Sequence, residues 1–130
     1  MDKITSLSID IETFSDIDLL KCGVYRYTES SAFEILLFGV SVNAGPVIVY
    51  DLASGDAIPD EILRALVDDT VKKWAFNASF ERICLSRYLQ RNYPDIFAIG
   101  ASKEESRTDY LRPDSWYCDL VLSAYNGLPL

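Results

Sequence analysis

"SLSIDIETFS" (Ser6–Ser15) is a short β-prone run that sets two acids two residues apart and then stops. Successive strand residues point to opposite sides of a sheet, so residues two apart share a side. Leu7, Ile9 and Ile11 therefore face one way, and Ser6, Ser8, Asp10 and Glu12 the other. The apolar set demands a core. The two carboxylates repel each other and gain nothing from proximity unless water or a cation neutralises them.

Outward from this strand, read as Ile4–Ile11, the pattern alternates between strands and helices. Residues 16–31 mix polar and aromatic side chains without a clear period and read as a long, partly helical loop. "FEILLFGVSV" (33–42) is an apolar strand suited to burial on both faces. "NAG" (43–45) is turn chemistry, and "PVIVYDL" (46–52) returns as the second arm of a hairpin. Pro59 suits the first turn of a helix, which "PDEILRALVDD" continues with Ile62, Leu63, Leu66 and Val67 on one face. "VKKWAF" (71–76) is a short strand. "NASFERICLSRYLQR" (77–91) is a helix with Asn77 placed to cap it. Residues 92–115 read as irregular, "WYC" (116–118) as a strand, and "DLVLSAYNG" (119–127) as a helix ended by Gly127. The expectation is an α/β chain with helices on both faces of a mixed sheet and one antiparallel hairpin edge. The strand from Ile4 should be central, between the hairpin and "VKKWAF".

At 130 residues the chain is one domain with room for a real core. No apolar run reaches membrane-spanning length and no basic-then-apolar leader opens the chain, so a cytoplasmic location without membrane contact is expected. Three widely spaced cysteines without a CxxC argue against a disulfide framework or a zinc site. The chain has no histidine, which excludes His-based triads and imidazole metal ligands. A net charge of −8 gives little attraction for nucleic acid unless a cation or another segment mediates.

Three acids carry the chemistry: Asp10, Glu12 and Glu81. Ligands of open α/β sheets bind beyond the carboxyl ends of strands, where the first two sit. By helical spacing Glu81 shares a face with Ala78, Cys84, Leu85 and Tyr88, so it heads a stripe that should be buried. A divalent cation would neutralise all three. An all-carboxylate set suits Mg²⁺ or Mn²⁺, and paired metals held by acids hydrolyse phosphodiesters. The plainer readings stand beside this one. Glu81 also suits the positive end of its helix, and Asn77 can be a cap alone. Cys22, Cys84, Cys118, Trp74 and Trp116 read as core, and Asp16, Asp18, Asp68 and Asp69 as solvated faces.

"IDIET" and "FNASFER", in this order and on these elements, resemble the first two motifs of the DEDD superfamily of 3′–5′ exonucleases, whose fold is ribonuclease H-like. With "KCGVYRYT" and "WYCDLVLSAYNGLPL", nearly the whole chain looks like the N-terminal proofreading domain of phage or prophage family A DNA polymerases. The resemblance implies that Asp10, Glu12 and Glu81 are catalytic metal ligands in a two-metal Mg²⁺ or Mn²⁺ site. It makes Asn77 and Phe80 substrate-binding members of the second motif. It implies a single-stranded or frayed DNA 3′ end as substrate and a C-terminal polymerase domain as partner. Two positions depart from the pattern. Glu81 stands where the superfamily usually has Asp, and Phe76 where relatives often have His. The third motif, a Tyr or His followed four positions later by Asp, has one match by spacing, Tyr110 to Asp114. Pro113 lies inside it and would break a helix, so the match reads as coincidence. The expectation is a partial exonuclease domain that stops before its last catalytic helix, inactive or weak alone. The uncovered side of its sheet would invite self-association. The rival readings are a catalytically inactive ribonuclease H-like module with an architectural or protein-contact role, and a related nuclease acting on RNA.

Overall fold

The computed structural model describes residues 3–100 and 110–118. The order is β1 (Ser6–Phe14), α1 (Leu19–Glu29), β2 (Glu34–Val42), β3 (Val47–Asp51), α2 (Asp60–Val67), β4 (Lys72–Ala75), α3 (Ala78–Asn92), α4 (Pro94–Gly100) and β5 (Trp116–Cys118). The strands form one mixed five-stranded sheet in the order β3-β2-β1-β4-β5. β1 is central as expected, antiparallel to β2 and parallel to β4. β3 returns antiparallel on β2, and β5 runs parallel to β4.

The alternation in β1 sorts the two faces. Leu7, Ile9 and Ile11 are buried, and the paired β2 residues Phe38 and Val40 join them. Ile62, Leu63 and Leu66 of α2, Cys84, Leu85 and Leu89 of α3, and Phe97 of α4 complete this core. The opposite face carries Ser8, Asp10, Glu12, Val47, Val49 and Tyr117, all exposed. Helices on both faces were expected; residues 119–127, read as the last helix, lie outside the described residues.

Several expectations need correction. β1 does not end at Ile11. Its pairing with β4 ends at Ile9–Ala75, but β2 keeps pairing as far as Phe14, past an irregularity between Glu12 and Thr13. Residues 16–31, by contrast, are partly helical as expected: they contain α1, capped by the Asp18 carboxylate, which accepts from the Leu20 and Lys21 amides at 3.0 and 3.3 Å. Gly23 breaks it at φ +82°, a left-handed setting that suits glycine. Residues 92–115 are not wholly irregular, because α4 forms there. Finally, Trp74 is not core. It is half-buried on the open face, stacked on Tyr117 with ring centroids 4.8 Å apart, whereas Trp116 is buried. Of the cysteines only Cys84 is core; Cys118 is half-buried and Cys22 exposed.

α4 owes its seat to Gly100. A Cβ there would lie 2.7–2.9 Å from the Val67 Cβ, O and Cα. Backbone cannot yield as a side-chain tip can, so Gly100→Ala should destabilise the fold by about 1–3 kcal/mol in urea unfolding.

Lys73 points from β4 into the core and is 0% exposed. Its ammonium donates to the Asp68 carbonyl at 2.6 Å and to Ser115 Oγ at 2.9 Å. Ser115 in turn donates to Asp69 at 3.3 Å, and Arg112 pairs with Asp69 at 2.8 Å. One buried amine thus ties the turn after α2 to the approach of β5. Burial holds its pKa down at about 8, against the pull of Asp69 and Asp68. The sign of the consequence follows from proton counts. Above pH 8 the folded chain has released a proton that the unfolded chain keeps, so this group makes stability rise with pH. Burial pushes the Cys84 thiol far up, which acts in the opposite sense from about pH 9 upward. The Lys73 contribution is therefore the difference between wild type and Lys73→Met. Between pH 8 and 9 the unfolding free energy of wild type should climb relative to the variant.

Among the described residues no helix is long and apolar enough to cross a membrane.

Candidate functional site

Asp10 and Glu12 stand side by side on the open face of β1. Asp10 pairs with Gly39 and Glu12 with Leu37. Gly39 lets the strands sit close there: a Cβ would come within 3.2 Å of the Asp10 carbonyl oxygen, a tight contact. A larger residue would press on the backbone that carries the carboxylate. A shallow depression of about 240 Å³ lies beside Asp10, lined by Ser8, Gly39, Ser41 and Val47 among others. The pairing is irregular directly after Glu12, where Leu36 of β2 lies between the partners of Glu12 and Thr13.

β4 delivers the second half. Its last pair is Ile9–Ala75. One residue further on each strand stand Asp10 and Phe76, and Phe76 is 64% exposed. The chain then turns at Asn77, whose side chain accepts from the Phe80 amide at 3.4 Å and whose carbonyl accepts from the Glu81 amide at 3.1 Å. Asn77 is thus the cap that starts α3. Asn77→Ala should cost about 1 kcal/mol of stability, read from the urea midpoint. Phe80 is half-buried against the core, its ring centroid 6.2 Å from that of Tyr27. The β5 end is tied to the same turn, since Cys118 Sγ donates to the Phe76 carbonyl at 2.9 Å.

Glu81 occupies the first turn of α3 and is 6% exposed. Its burial follows the helical spacing, with Ala78, Cys84 and Leu85 buried beside it and Tyr88 half-buried. Its charge also reaches Cys84, where it adds to burial in raising the thiol pKa. All three acids therefore belong to the end of the sheet where β4 stops. Asp10 and Glu12 face the open side, and Glu81 lies in the buried side of α3. Among the described residues no three His, Cys, Asp or Glu side chains form a group that could hold a metal ion.

Tyr110 and Asp114 do not extend the set. The Tyr110 ring packs edge-on against Tyr25, with centroids 5.2 Å apart, and Asp114 is exposed on the approach to β5. Two contributors escape the sequence pattern. Gly39 carries no sign of its role until the register places it opposite Asp10. Arg91 fastens α3 to the end of α1 by donating to the Thr28, Ser30 and Phe33 carbonyls at 3.2, 2.9 and 3.0 Å. Neither follows a motif or a period.

No protein-family model matches the chain. It is similar to a DNA polymerase of Bacillus phage SP02, 44% identical over 124 residues. The match takes in 95% of this chain but 16% of that polymerase.

Proposed function

We propose that this chain is the 3′–5′ exonuclease part of a DNA polymerase, ribonuclease H-like in fold. The similarity of nearly its whole length to one stretch of a phage DNA polymerase carries the reading. The mixed sheet, with two acids on its central strand and a third heading the helix after β4, is compatible with it. The substrate would be the single-stranded or frayed 3′ end of DNA, and the partner a polymerase domain in the same polypeptide.

The donor chemistry fits hard divalent cations. The site offers carboxylates only, and histidine is lacking altogether. Asp10, Glu12 and Glu81 would hold Mg²⁺ or Mn²⁺, completed by a ligand from beyond the described residues. Such ions, when bound, lower the pKa of water and stabilise the oxygen that leaves phosphorus. The chain's own contribution is placement. β1 fixes Asp10 and Glu12 side by side, Gly39 leaves room beside the Asp10 carbonyl, and the Asn77 cap sets where the helix bearing Glu81 begins. A second reading, a module without catalysis, draws on the lack of a three-acid cluster among the described residues.

The test is a gel assay of a labelled single-stranded primer with Mn²⁺, using this chain and the longer polymerase that contains it. The polymerase should trim the 3′ end and the chain alone should not. Failure of both would favour the module without catalysis. Robust trimming by the chain alone, lost in Asp10→Ala, would show that the catalytic set is complete within it and is misassigned here. Calorimetry with Mn²⁺ adds an independent arm. Equal heats from wild type and the Asp10→Ala, Glu81→Ala double variant would remove these residues from the site.

A further inference from the structure

β1 is held least where it carries Glu12. Its pairing with β4 ends at Ile9–Ala75, so beyond that point β2 is the one described strand that still pairs with it. Even this ladder is irregular directly after Glu12, because Thr13 pairs with Ile35 and Leu36 is passed over. A carboxylate on such a stretch needs support from outside the sheet if its position is to be fixed.

Tyr27 of α1 supplies that support at two points. Its hydroxyl and Thr13 Oγ1 share a hydrogen bond of 2.8 Å, and its carbonyl accepts from Ser15 Oγ at 2.8 Å. The same side chain reaches the other half of the candidate site. Its ring centroid lies 6.2 Å from that of Phe80, the residue before Glu81, and Phe33 braces it edge-on at 5.7 Å. A phenylalanine at position 27 would fill the same space against Phe33 and Phe80. What the hydroxyl adds is direction. Tyr27 is buried, and a buried hydroxyl paired with one partner adds modest net stability while fixing the geometry of what it holds.

We propose that Tyr27 is a positioning residue of the exonuclease site. Through Thr13 it sets where Glu12 stands, and through Phe80 it ties that setting to the helix that bears Glu81. The inference rests on the nuclease reading and deepens it, by giving a role to a residue outside the acids. In-line attack on phosphorus tolerates little error in the placing of a cation, and a misplacement of about 1 Å can cost on the order of 10²-fold in rate. Loss of one hydrogen bond to Thr13 displaces Glu12 by less, because β2 and Ser15 still hold the stretch.

The variants are made in the longer polymerase that contains this chain and read by Mn²⁺-dependent trimming of a labelled single-stranded primer. Tyr27→Phe and Thr13→Val should each lower the rate on the order of tenfold and raise the Mn²⁺ concentration that half-saturates it. The double variant should lose no more than either single one, since both remove the same bond. Thr13→Ser keeps a hydroxyl and should keep the rate. Thr28→Val controls for loosening of α1. It removes a buried hydroxyl on the next residue, whose Oγ1 donates to the Tyr25 carbonyl at 3.1 Å, and it should leave rate and Mn²⁺ dependence unchanged. The proposal falls if Tyr27→Phe trims at the wild-type rate, or if Thr28→Val loses as much as Tyr27→Phe. Either result leaves the nuclease reading standing, provided that wild type trims and Asp10→Ala does not. A wild-type polymerase that fails to trim overturns both together.

Discussion

Phe38→Ala should destabilise the folded chain by about 3–5 kcal/mol. Phe38 is fully buried at the centre of β2, paired with Ile11 of β1 on one side and Tyr50 of β3 on the other. Its ring centroid lies 6.4 Å from that of Tyr50. Truncation leaves a void whose walls cannot close. The neighbouring strands are fixed by their ladders, and α3 is fixed by Arg91 and the Asn77 cap. The lost transfer free energy and the cavity therefore add. Urea unfolding should show a lower midpoint with an unchanged slope, the mark of lost stability without a changed denatured state. Val49→Ala, on the neighbouring strand but exposed on the open face, should change little. A Phe38→Ala cost below about 1 kcal/mol would mean that the site collapses around the cavity, and that β2 is less firmly held than its pairing on both sides implies.

What the sequence declares and what it hides divide along physical lines. The faces of β1 were legible because a period of two is a local property. Leu7, Ile9 and Ile11 have no other way to share a side. The burial of Glu81 was legible for the same reason, since helical spacing alone ties it to Cys84 and Leu85. β1's central place followed from the order of elements, with a hairpin before and a crossover after. α1 is legible only as a partly helical stretch without bounds, because only Tyr27 and Thr28 along it are buried and no apolar stripe marks it. Its Asp18 cap is visible only once the helix is known. α4 hides behind Pro94 and depends on the fit of Gly100 to Val67, a contact between residues 33 positions apart. Lys73 is the clearest failure of pattern. A lysine in a strand reads as exposed, and its burial depends on acceptors supplied by Asp68 and Ser115. The candidate site divides likewise. Its acids announce themselves by type and spacing, while how deeply Glu81 is buried depends on the tertiary packing of α3.

On the proposed exonuclease reading, Glu81→Gln in the longer polymerase should lower Mn²⁺-dependent trimming of a 3′ end by on the order of 10²-fold or more, while leaving the melting temperature unchanged or raised. The two readings of Glu81 give opposite signs, which makes this substitution decisive. If the carboxylate serves only the positive end of α3, its neutral isostere loses a favourable interaction of about 0.3–1 kcal/mol, and catalysis is untouched. If it holds a cation, the stability effect reverses. Ionising a side chain that is 6% exposed carries a desolvation cost, and glutamine removes that cost at nearly constant volume. Activity then falls because an amide oxygen is a weaker ligand for a hard cation, and a misplaced ion loses the geometry that in-line attack on phosphorus requires. Glu81→Asp refines the result. It keeps the carboxylate with one methylene less reach. Retained activity would mean that the site tolerates the shorter arm, and loss would mean that the strand and helix of this chain are set for glutamate. The measurements are gel trimming rates and thermal melts on the same preparations. A Glu81→Gln polymerase that trims at the wild-type rate and melts earlier would return Glu81 to a structural role, and leave Asp10 and Glu12 without their third acid.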